Sequence, residues 1–445
     1  KKVVGSSDLQ LEDNPFFNLL GTDGMKRVHG ESLDDQRDAE LVALQRSQAH
    51  RRPPWIRRSF SNVLMDMRIA DGKVGFDFGG SKAKIAVAAP SKHHLPTFFG
   101  QGGRTHKDLT LELAPRAGAP VAERTQWSLQ FMGVESDTLE NYVADDSDAS
   151  QLAQLKLWTV CTAGGGAHKL RTHFRESFKI DLDPIPEMES TIKGLLALHA
   201  LQPPGELVTF QGTQEKEIPW PEPLFPLLLV NIGSGVSVLR VDGAVPELKF
   251  QRVGGTACGG ATFLGLAKLL TSARNFEDAL TLANAGRAEA VDKSVADIYG
   301  ESGASALGLP GTLTASNFGR LAGVDPDTAS WWPPCEEDVA RSLLEMVVQS
   351  SAVVAKAHAA QLDVHDGMRR VFFSGGFVCG KNHIARRAIS NSLAALGGQA
   401  NFFVHSDFLG ALGSLSCCMM KAASEETSVN IFNGDWTTST SQAAR

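Results

Sequence analysis

Apolar residues follow two patterns along the chain: short runs that suit strands, and longer stretches with helical spacing. Continuous runs or alternation predict strands at positions 73–78, 85–87, 109–113, 127–131, 157–160, 227–230, 236–241 and 370–373. Apolar residues three and four apart predict helices at 168–178, 187–201, 263–270, 275–285, 291–299, 336–362 and from 411 onward. The stretch 203–226 is rich in Pro and charge, which is typical of a surface loop.

Glycine-bearing turns follow three of the predicted strands. They are DFGGS (77–81), NIGSG (231–235) and FSGGF (373–377). Glycine has no Cβ, so the backbone of such a turn can approach a ligand closely and turn its amides towards a phosphate. An ordinary hairpin turn explains each segment when it is taken alone. Their recurrence in this order favours a nucleotide site, and it resembles the sugar kinase, Hsp70 and actin superfamily, in which two such turns hold phosphates and one holds the nucleoside.

Two further glycine clusters lead directly into predicted helices. Gly164–Gly166 follows the strand at 157–160, and Gly254–Gly260 precedes the helix that contains Phe263. A loop rich in backbone amides at a helix N-terminus is a ready anion site. We therefore expect the 254–260 loop to bind an anion.

The order of elements predicts the fold class. Repeated strand–turn–strand units with interposed helices indicate an α/β protein. Its two related halves face a nucleotide cleft, as in the sugar kinase, Hsp70 and actin superfamily. No GxxxxGK[ST] segment is present, so a P-loop enzyme is excluded. We expect a polar N-terminal extension at 1–72, a first half at 73–200, a second half at 201–424 and a polar tail at 425–445.

Composition narrows the function. The 445 residues carry a formal net charge of −7, which argues against a general nucleic-acid binder. No run approaches the length of a membrane span, and the mixed polar N-terminus is not a signal peptide. The 6 Cys are scattered without paired spacing, as expected of reduced thiols in a cytoplasmic protein. The 12 His form no HExxH arrangement, so a structural zinc site is not expected.

The first turn carries the candidate chemistry of a nucleotide site. Gly79 and Gly80 allow amides to face a phosphate, Asp77 can hold Mg²⁺ through water, and Lys84 can offset phosphate charge. Late in the chain, the turn that contains Gly375 can approach a flat ligand such as adenine.

Longer segments resemble the eukaryotic-type (type II) pantothenate kinases. They include VGFDFGGSKAKIAV, TAGGGAHK, NIGSGVSVLRVDG, RVGGTACGGATFLGLAKLLT, DIYG, GLPGTLTASNFG and GALGSL. They occur in collinear order from Lys73 to Met420, with insertions around 91–153 and 203–221. The resemblance implies a kinase that uses ATP and Mg²⁺ to phosphorylate the primary hydroxyl of pantothenate, the first step of coenzyme A synthesis.

The resemblance also implies roles for individual residues. The family's first phosphate loop corresponds to Gly79, Gly80, Ser81 and Lys84. Its second phosphate turn corresponds to Gly233 and Gly235, and its adenosine side to Gly375 and Gly376. Ser234 and Arg252 fall on substrate positions, where the fork of an Arg suits a carboxylate. The family is dimeric, and Tyr299 matches a residue that one protomer contributes to the pocket of the other. Inhibition by CoA or acyl-CoA is expected on the same grounds.

The sequence departs from the family at the expected general base. After the triple glycine the family pattern reaches a Glu, whereas this chain has Arg171. A cation cannot accept the hydroxyl proton, and the loss of a positioned base costs about 10²–10⁴-fold. Glu176, Glu187 or Asp77 can be considered as substitutes. Two further pocket positions, near Gly303 and Leu396, also differ from the family pattern.

Three hypotheses follow. In the first, the chain is a catalytically impaired, pseudokinase-like subunit that pairs with a complete paralogous pantothenate kinase; the Arg at position 171 favours this hypothesis. In the second, it is an active homodimeric kinase with a relocated acid, which the retained Ser234 and Arg252 support. In the third, it is a non-enzymatic nucleotide binder like actin or Hsp70, in which those two residues would be idle.

Overall fold

A computed structural model of the chain describes most of the core and part of its flanks. The described residues are 60–69, 71–80, 82–90, 109–113, 125–136, 139, 140, 143, 146, 152, 154–244, 247–323, 333–362, 367–380 and 382–425. All of them lie in the compact unit Pro54–Arg445. Most of the predicted extension at 1–72, the tail after 425 and the candidate residue Ser81 lie outside the described residues.

The first sheet has six strands in the order β3-β4-β2-β1-β5-β6. Their bounds are Lys73–Phe78 (β1), Lys82–Pro90 (β2), Leu109–Leu113 (β3), Thr125–Glu135 (β4), Trp158–Ala163 (β5) and Ile180–Pro184 (β6). β1 to β4 form antiparallel pairs, whereas β5 and β6 continue the sheet from β1 in parallel. Its β1 strand ends at the first glycine turn.

The second sheet has seven strands in the order β11-β10-β9-β14-β15-β7-β8. Their bounds are Leu207–Gln211 (β7), Gln214–Glu217 (β8), Leu227–Ile232 (β9), Val236–Gly243 (β10), Lys249–Thr256 (β11), Val371–Ser374 (β14) and Ala400–Phe403 (β15). Here β9, β10 and β11 are antiparallel and β14 and β15 continue from β9 in parallel, so the core pattern of the first sheet is repeated. This repetition confirms an α/β fold of two related halves. A short pair, β12 (Lys293–Ser294) and β13 (Thr314–Ser316), stands apart.

The described helices cover both sheets. They are Phe60–Ile69 (α1), Ala167–Phe178 (α2), Glu187–Leu201 (α3), Gly260–Leu270 (α4), Phe276–Ala285 (α5), Val295–Ala306 (α6), Glu336–Ala359 (α7), His383–Ala395 (α8) and Leu409–Glu425 (α9). Buried residues of α1 and α2 pack on one face of the first sheet. Residues of α3 and α9 form a core with both sheets, and α4, α5, α7 and α8 cover the far face of the second sheet.

Local signals explain several helix bounds. The side chain of Asn275 accepts a hydrogen bond from the Asp278 amide and so caps α5. Ser294 and Asp297 form a capping box at the start of α6. The predicted helix at 291–299 therefore begins only at Val295, and α6 is kinked at Gly300, whose φ is 71°.

The predicted surface loop at 203–226 is wrong in part, because it contains β7 and β8. The side chains of β7 are almost all buried, and β8 is an exposed edge strand that pairs with it. The patterns described above also predicted none of β6, β11, β13, β15, α1 and α8. The residues of β8, Gln-Glu-Lys-Glu, have no apolar pattern at all, so only the pairing with β7 makes them a strand.

Helix α9 follows the second sheet in the chain but packs on the first sheet and on α3. Small residues allow this close approach. A Cβ at Gly75 would lie 2.2 Å from the Leu415 amide nitrogen, and one at Gly413 would lie 1.8 Å from the Ser190 carbonyl oxygen. The Ser190 hydroxyl also donates to the Gly410 carbonyl at 2.7 Å. The domain boundaries given above stay a prediction.

Candidate functional site

The first glycine turn closes the hairpin of β1 and β2. The Gly79 amide donates to the Lys82 carbonyl at 3.0 Å, and the Ser136 hydroxyl donates to the Gly79 carbonyl at 2.8 Å. A Cβ at Gly79 would come within 2.8 Å of that Lys82 oxygen, so the tight turn requires glycine. At the next position, Gly80, a Cβ would have no described atom within 4 Å.

The Asp77 carboxylate lies beside this turn and is enclosed by three segments. Asp77 pairs with Lys84 across the hairpin, and Lys84 Nζ lies 3.5 Å from Asp77 Oδ2. A Cβ at Gly164 would come within 2.9 Å of Asp77 Oδ1, and one at Gly410 within 2.6 Å of Asp77 Oδ2. Two glycines from distant parts of the chain therefore make room for one carboxylate.

Lys84 is held as a cation by surrounding acids. Burial is the largest influence on its pKa and acts to lower it. Asp77, Asp407 and Glu187 together outweigh burial, and the pKa of Lys84 is raised above its ordinary value. A protonated Lys at this point suits the neutralisation of phosphate charge.

Glu187 belongs to the same electrostatic cluster. It is the first residue of α3, and its pKa is raised by burial and by the charge of Asp77, with Lys84 acting in the opposite direction. Glu176, another candidate base, is exposed on α2, and no contact among the described residues joins it to Asp77. Of the predicted substitute acids, the structure thus brings Glu187 and Asp77 together and leaves Glu176 apart.

The second glycine turn is bonded to the start of α4. The Gly260 amide donates to the Gly233 carbonyl at 2.8 Å, and the Ala261 amide donates to the Ser234 carbonyl at 3.1 Å. The first amides of α4 are therefore used within the protein. The expectation that the 254–260 loop provides an anion site at this helix N-terminus is wrong for these two amides.

The third glycine turn crosses the end of the second sheet beside the second turn. Ser374 at the end of β14 pairs with Asn231, and their side chains are hydrogen-bonded at 3.2 Å. Gly375 has a φ of 99°, and a Cβ there would lie 2.5 Å from the Ile232 carbonyl oxygen and 2.7 Å from Asn231 Oδ1. Glycine is thus required at 375 by both conformation and space.

Each of the three glycine turns, and the Gly164–Gly166 cluster as well, combines a glycine at which a Cβ would be crowded with one that faces open space. The packed positions have backbone or side-chain atoms within 3.2 Å of a Cβ; they are Gly79, Gly164, Gly235 and Gly375. The open positions have no described atom within 4 Å of a Cβ; they are Gly80, Gly165, Gly233 and Gly376. Protein packing explains the first set but not the second. Glycine at the open positions suits the close approach of a ligand to the backbone.

Comparison with known families adds to this geometry. The model of the Fumble family matches residues 73–417, well over half of the chain. The chain belongs to the Fumble family. These are the type II pantothenate kinases, so the resemblance drawn from the sequence is confirmed.

Relatives of this Fumble-family chain carry two kinds of name. Pantothenate kinase 1 of Arabidopsis thaliana is 38% identical over 269 residues, which are 59% of this chain and 66% of the plant protein. The 4'-phosphopantetheine phosphatase of Mus musculus is 32% identical over 355 residues, 77% of this chain and 40% of the mouse protein. The chain thus spans less than two thirds of the length of either relative.

Similar solved structures include two glucokinases. The enzyme from Balamuthia mandrillaris in complex with glucose has a TM-score of 0.38 and 13% identity, covering 80% of this chain and 97% of that chain. A glucokinase from an Antarctic psychrotroph has a TM-score of 0.34 and 12% identity, covering 78% and 98%.

Arg171, where the Fumble-family resemblance leads one to expect a Glu, points away from the glycine turns. Its Nη2 lies 3.9 Å from Asp181 Oδ1, and Arg175 Nη1 lies 3.1 Å from the same oxygen. Asp181 pairs with Thr159 near the start of β5, whereas the turn that begins at Gly164 follows the end of that strand. The Arg171 side chain is 49% exposed. It therefore belongs to a surface ion pair.

The predicted substrate residues of the Fumble pattern lie on or beside β10 and β11. Ser234 is exposed in the second turn, and Arg252 is exposed on β11, where its Nε donates to the Ser237 hydroxyl at 3.3 Å. Tyr299 is 57% exposed on α6, and no contact among the described residues joins it to Ser234 or Arg252. The structure thus brings neither substrate residue to Tyr299 within one chain.

Three residues of the site were missed by the sequence reasoning. Asn231 stands inside the NIGSG segment but was not singled out, although its position at the end of β9 was a signal. Gly410 lies in the GALGSL segment, and its contact with Asp77 has no local signal because distant segments make it. Asp407, which acts on the pKa values of Lys84 and Arg386, likewise had none.

Other kinds of site are not evident within the described ranges. There, no group of three or more His, Cys, Asp and Glu side chains is arranged to hold a metal ion. None of the described helices is long and apolar enough to cross a membrane. The six cysteines are free thiols, as predicted.

Proposed function

We propose that this chain is a pantothenate kinase subunit. It would transfer the γ-phosphoryl group of ATP to pantothenate, giving 4'-phosphopantothenate in the first step of coenzyme A synthesis. Membership of the Fumble family and the relatives named pantothenate kinase support the reaction. The observation that carries the proposal is the set of four open glycines, one in each of the three glycine turns and one in the Gly164–Gly166 cluster, because packing among the described residues gives no reason for them.

The surroundings of Asp77 suit the magnesium ion of an ATP complex. Mg²⁺ keeps several waters and usually takes one or two carboxylates together with phosphate oxygens. Asp77 offers one carboxylate, with Glu187 in the same electrostatic cluster. Bound there, the ion would neutralise phosphate charge, and Lys84 would contribute a second positive charge on the same side.

Arg252 and Ser234 are the proposed contacts to pantothenate. An Arg fork binds a carboxylate through two parallel hydrogen bonds, and pantothenate carries a carboxylate. The exposure of Tyr299 supports a role in the pocket of a second protomer, since a residue that completes another subunit's site must lie at the surface. Inhibition by CoA and a cytoplasmic location stay predictions.

We further propose that the chain acts in a heteromer with a catalytically complete paralogue. Arg171 stands at the position that the family pattern gives to the general base, and its pairing with Asp181 directs it to the surface. No proton acceptor is left at that position. The retained glycine turns and Arg252 would then serve to bind ligands and to complete the partner's site.

The test compares the purified chain alone with a mixture of the chain and its paralogue in ATP-dependent phosphorylation of pantothenate. We expect the lone chain to have little activity. We expect the activity of the paralogue to rise when the chain is added. Equal activity of the lone chain and the mixture would sink the heteromer proposal. A lone chain without activity that also leaves the activity of the paralogue unchanged on mixing would sink the proposal that it is a kinase subunit.

A matched pair of variants isolates the missing base. Arg171→Glu restores the family residue, and Arg175→Glu makes the same charge change one helical turn away beside the same Asp181. We expect the lone Arg171→Glu chain to gain about 10²-fold or more in pantothenate phosphorylation and Arg175→Glu to gain nothing. Equal effects of the two variants would mean that charge on α2, and not a base, controls the rate.

The environment of Glu187 supports a second candidate, an active homodimer with a relocated base. A general base works best with a pKa near the working pH, and the pKa of Glu187 is shifted upward. Under this alternative the lone chain phosphorylates pantothenate, and Glu187→Gln lowers that activity about 10²–10⁴-fold.

The mouse relative named a phosphatase suggests one more arm of the assay. Its name concerns removal of phosphate from 4'-phosphopantetheine, and 40% of its length is matched here. Release of phosphate from 4'-phosphopantetheine by this chain would overturn the kinase assignment in favour of a hydrolase. We expect none, because the matched segments are those of the pantothenate kinase pattern.

A further inference from the structure

Helix α9 reaches the Asp77 carboxylate through a short crossing segment, residues 404–408. This segment follows β15, which ends at Phe403 in the second sheet, and leads directly into α9, which begins at Leu409. The first turn of α9 brings Gly410 against Asp77, where a Cβ would lie 2.6 Å from Oδ2. The course of the crossing segment therefore decides where this turn stands relative to the proposed magnesium ligand.

One residue holds the beginning of the crossing segment. Glu206, just before β7, accepts a hydrogen bond from the Val404 amide on its backbone carbonyl at 3.0 Å. Its side-chain Oε1 accepts another from the His405 amide, also at 3.0 Å, and its Oε2 lies 2.6 Å from His405 Nδ1. Both carboxylate oxygens are thus used by His405, so that its backbone and its ring are fixed together.

The His405 ring also contacts the first sheet. Its centre lies 4.8 Å from the ring centre of Phe131 on β4, and the ring of Phe408, at the end of the crossing segment, lies 5.3 Å from the same ring. The Phe408 amide donates to the His405 carbonyl at 2.9 Å and closes the segment into a tight turn. His405 therefore stands between a carboxylate of the second sheet and an aromatic ring of the first, directly before α9.

The burial of this pair indicates a role in geometry more than in stability. The side chains of Glu206 and His405 are 1% and 3% exposed. The attraction within a buried pair seldom does more than offset the cost of removing both groups from water. Its polar atoms need partners at fixed distances and directions, and buried polar networks that are satisfied make the structure around them rigid and unique. The pair thus favours one course of the crossing segment.

A charge on the crossing segment acts on the same site. Burial lowers the pKa of Lys84, and Asp77 and Asp407 in turn act to raise it. Asp407 lies two residues after His405, within the turn that the Phe408 amide closes. A shift of the crossing segment would therefore move both this charge and the first turn of α9.

We propose that Glu206 and His405 are positioning residues that hold the crossing segment so that Gly410 stays against Asp77. The inference rests on the proposed function, in which Asp77 helps to bind the magnesium ion of ATP. The two residues act through the crossing segment and need no contact with the nucleotide or with pantothenate. Loss of the bond between them therefore weakens magnesium-dependent ATP binding and leaves pantothenate binding alone.

Two substitutions of His405 separate the hydrogen bond from the packing. His405→Asn places an amide donor near the position of Nδ1 and gives up the ring, whereas His405→Phe keeps a ring against Phe131 and gives up the donor. The full chain would be titrated calorimetrically with ATP in excess Mg²⁺. We expect His405→Phe to bind about tenfold more weakly, the size expected for a hydrogen bond to a charged group, and His405→Asn to bind as the wild type does. Pantothenate should bind both variants with the wild-type affinity.

Two further variants separate this effect from a general loss of stability. Glu206→Gln/His405→Phe removes the buried charge of Glu206 and should show the same loss of ATP affinity as His405→Phe. Thr209→Val removes a buried hydrogen bond from the Thr209 hydroxyl to the Ala400 carbonyl. This bond joins the neighbouring strands β7 and β15 away from the crossing segment, so its loss should leave ATP binding unchanged. Urea unfolding of every variant records the change in stability.

Several results would overturn the inference while leaving the proposed function standing. They are full ATP affinity in His405→Phe, equal losses in His405→Asn and His405→Phe, and an equal loss in Thr209→Val. A parallel loss of pantothenate affinity would do the same, because it would mean that the whole fold has changed. A wild-type chain that binds no ATP in the presence of Mg²⁺ would overturn the proposed function and the inference with it.

Discussion

The Asp77 carboxylate touches the first turn of α9 at Gly410, a residue from the far end of the described chain. A Cβ at Gly410 would come within 2.6 Å of Asp77 Oδ2 and 2.8 Å of its Cγ. Asp77 is a short side chain that is already paired with Lys84, so it has little room to yield. The position of the proposed magnesium ligand thus depends on the absence of a side chain on a helix that belongs to another part of the sequence.

Gly410→Ala should therefore damage the site more than the fold. Alanine within a helix is more favourable than glycine by about 0.5–1 kcal/mol of folding free energy, which offsets part of the cost of the clash with Asp77. Displacement of the Asp77 carboxylate, in contrast, can lower the rate of phosphoryl transfer about 10²-fold. Magnesium-dependent nucleotide binding and phosphorylation of pantothenate would be measured beside urea unfolding.

The control for that variant is Gly413→Ala on the same helix. Its Cβ would lie 1.8 Å from the Ser190 carbonyl oxygen, so this change should lower the free energy of unfolding through the contact with α3. If Gly410→Ala kept full activity, Asp77 would not need its present position.

The open and packed glycines of the third turn make a second matched pair. Gly376→Ala should leave the free energy of unfolding within about 0.5 kcal/mol of the wild type and weaken ATP binding. Gly375→Ala should lower the free energy of unfolding, because Gly375 has a φ of 99° and the added Cβ would lie 2.5 Å from the Ile232 carbonyl oxygen. Nucleotide titration and urea unfolding of both variants provide the measurement. Unchanged ATP affinity in Gly376→Ala would argue that the nucleotide does not approach this turn.

The pH dependence of Glu187 has a definite sign. Its pKa is raised from 4.5, so the folded state favours the protonated form. The stability that this group contributes is therefore fully present below 4.5 and is lost as the pH rises through the raised value. Unfolding measured against pH should show this decline in the wild type and not in Glu187→Gln.

The same substitution separates the two candidate mechanisms. Under the relocated-base alternative, the activity of the lone chain rises as Glu187 loses its proton, and Glu187→Gln lowers it about 10²–10⁴-fold. Glu189→Gln, two residues along α3 where the acid pairs with Lys193, is the control. A lone chain in which Glu187→Gln has no effect on the rate would exclude Glu187 as the base.

His358 on α7 fills the space over Gly254 on the side of the sheet opposite Ser237. A Cβ at Gly254 would lie 2.1 Å from His358 Nε2, and His358 Nδ1 is buried with no hydrogen-bond partner among the described residues. Gly254→Ala should thus cost about 1–3 kcal/mol through overpacking. In the double variant Gly254→Ala/His358→Ala much of that loss should return. Urea unfolding of the four members of this cycle tests the contact, and simple additivity would contradict it.

The helices and strands predicted correctly from the sequence are those whose pattern lies within one short segment. Helix α3 has the predicted bounds Glu187–Leu201, because its apolar spacing and the flanking prolines lie within one segment. Helix α8 was missed although its buried residues Ile384, Ala388 and Ile389 have helical spacing. Its Arg386 reads as a surface cation, yet it is buried with its guanidinium 5.5 Å from the ring centres of Phe210 and Phe402.

The site divides in the same way. The glycine turns were visible as motifs, since each is a short segment with its own backbone requirement. The enclosure of Asp77 by Gly164 and Gly410 was not, because three segments far apart in the chain make it. The bonding of the α4 amides to the second turn was also hidden, since a sequence does not tell whether an amide at a helix start faces a ligand or a neighbouring carbonyl.

The return of α9 to the first sheet bears on how the protein forms during synthesis. Gly75 of β1 lies against the backbone of Leu415, so an apolar surface of the first sheet is covered by a helix made hundreds of residues later. Domains generally fold from the N-terminus as the ribosome releases them. Here the early half stays uncovered until residues 409–425 emerge, and a nascent chain that stops before them would expose that surface to chaperones.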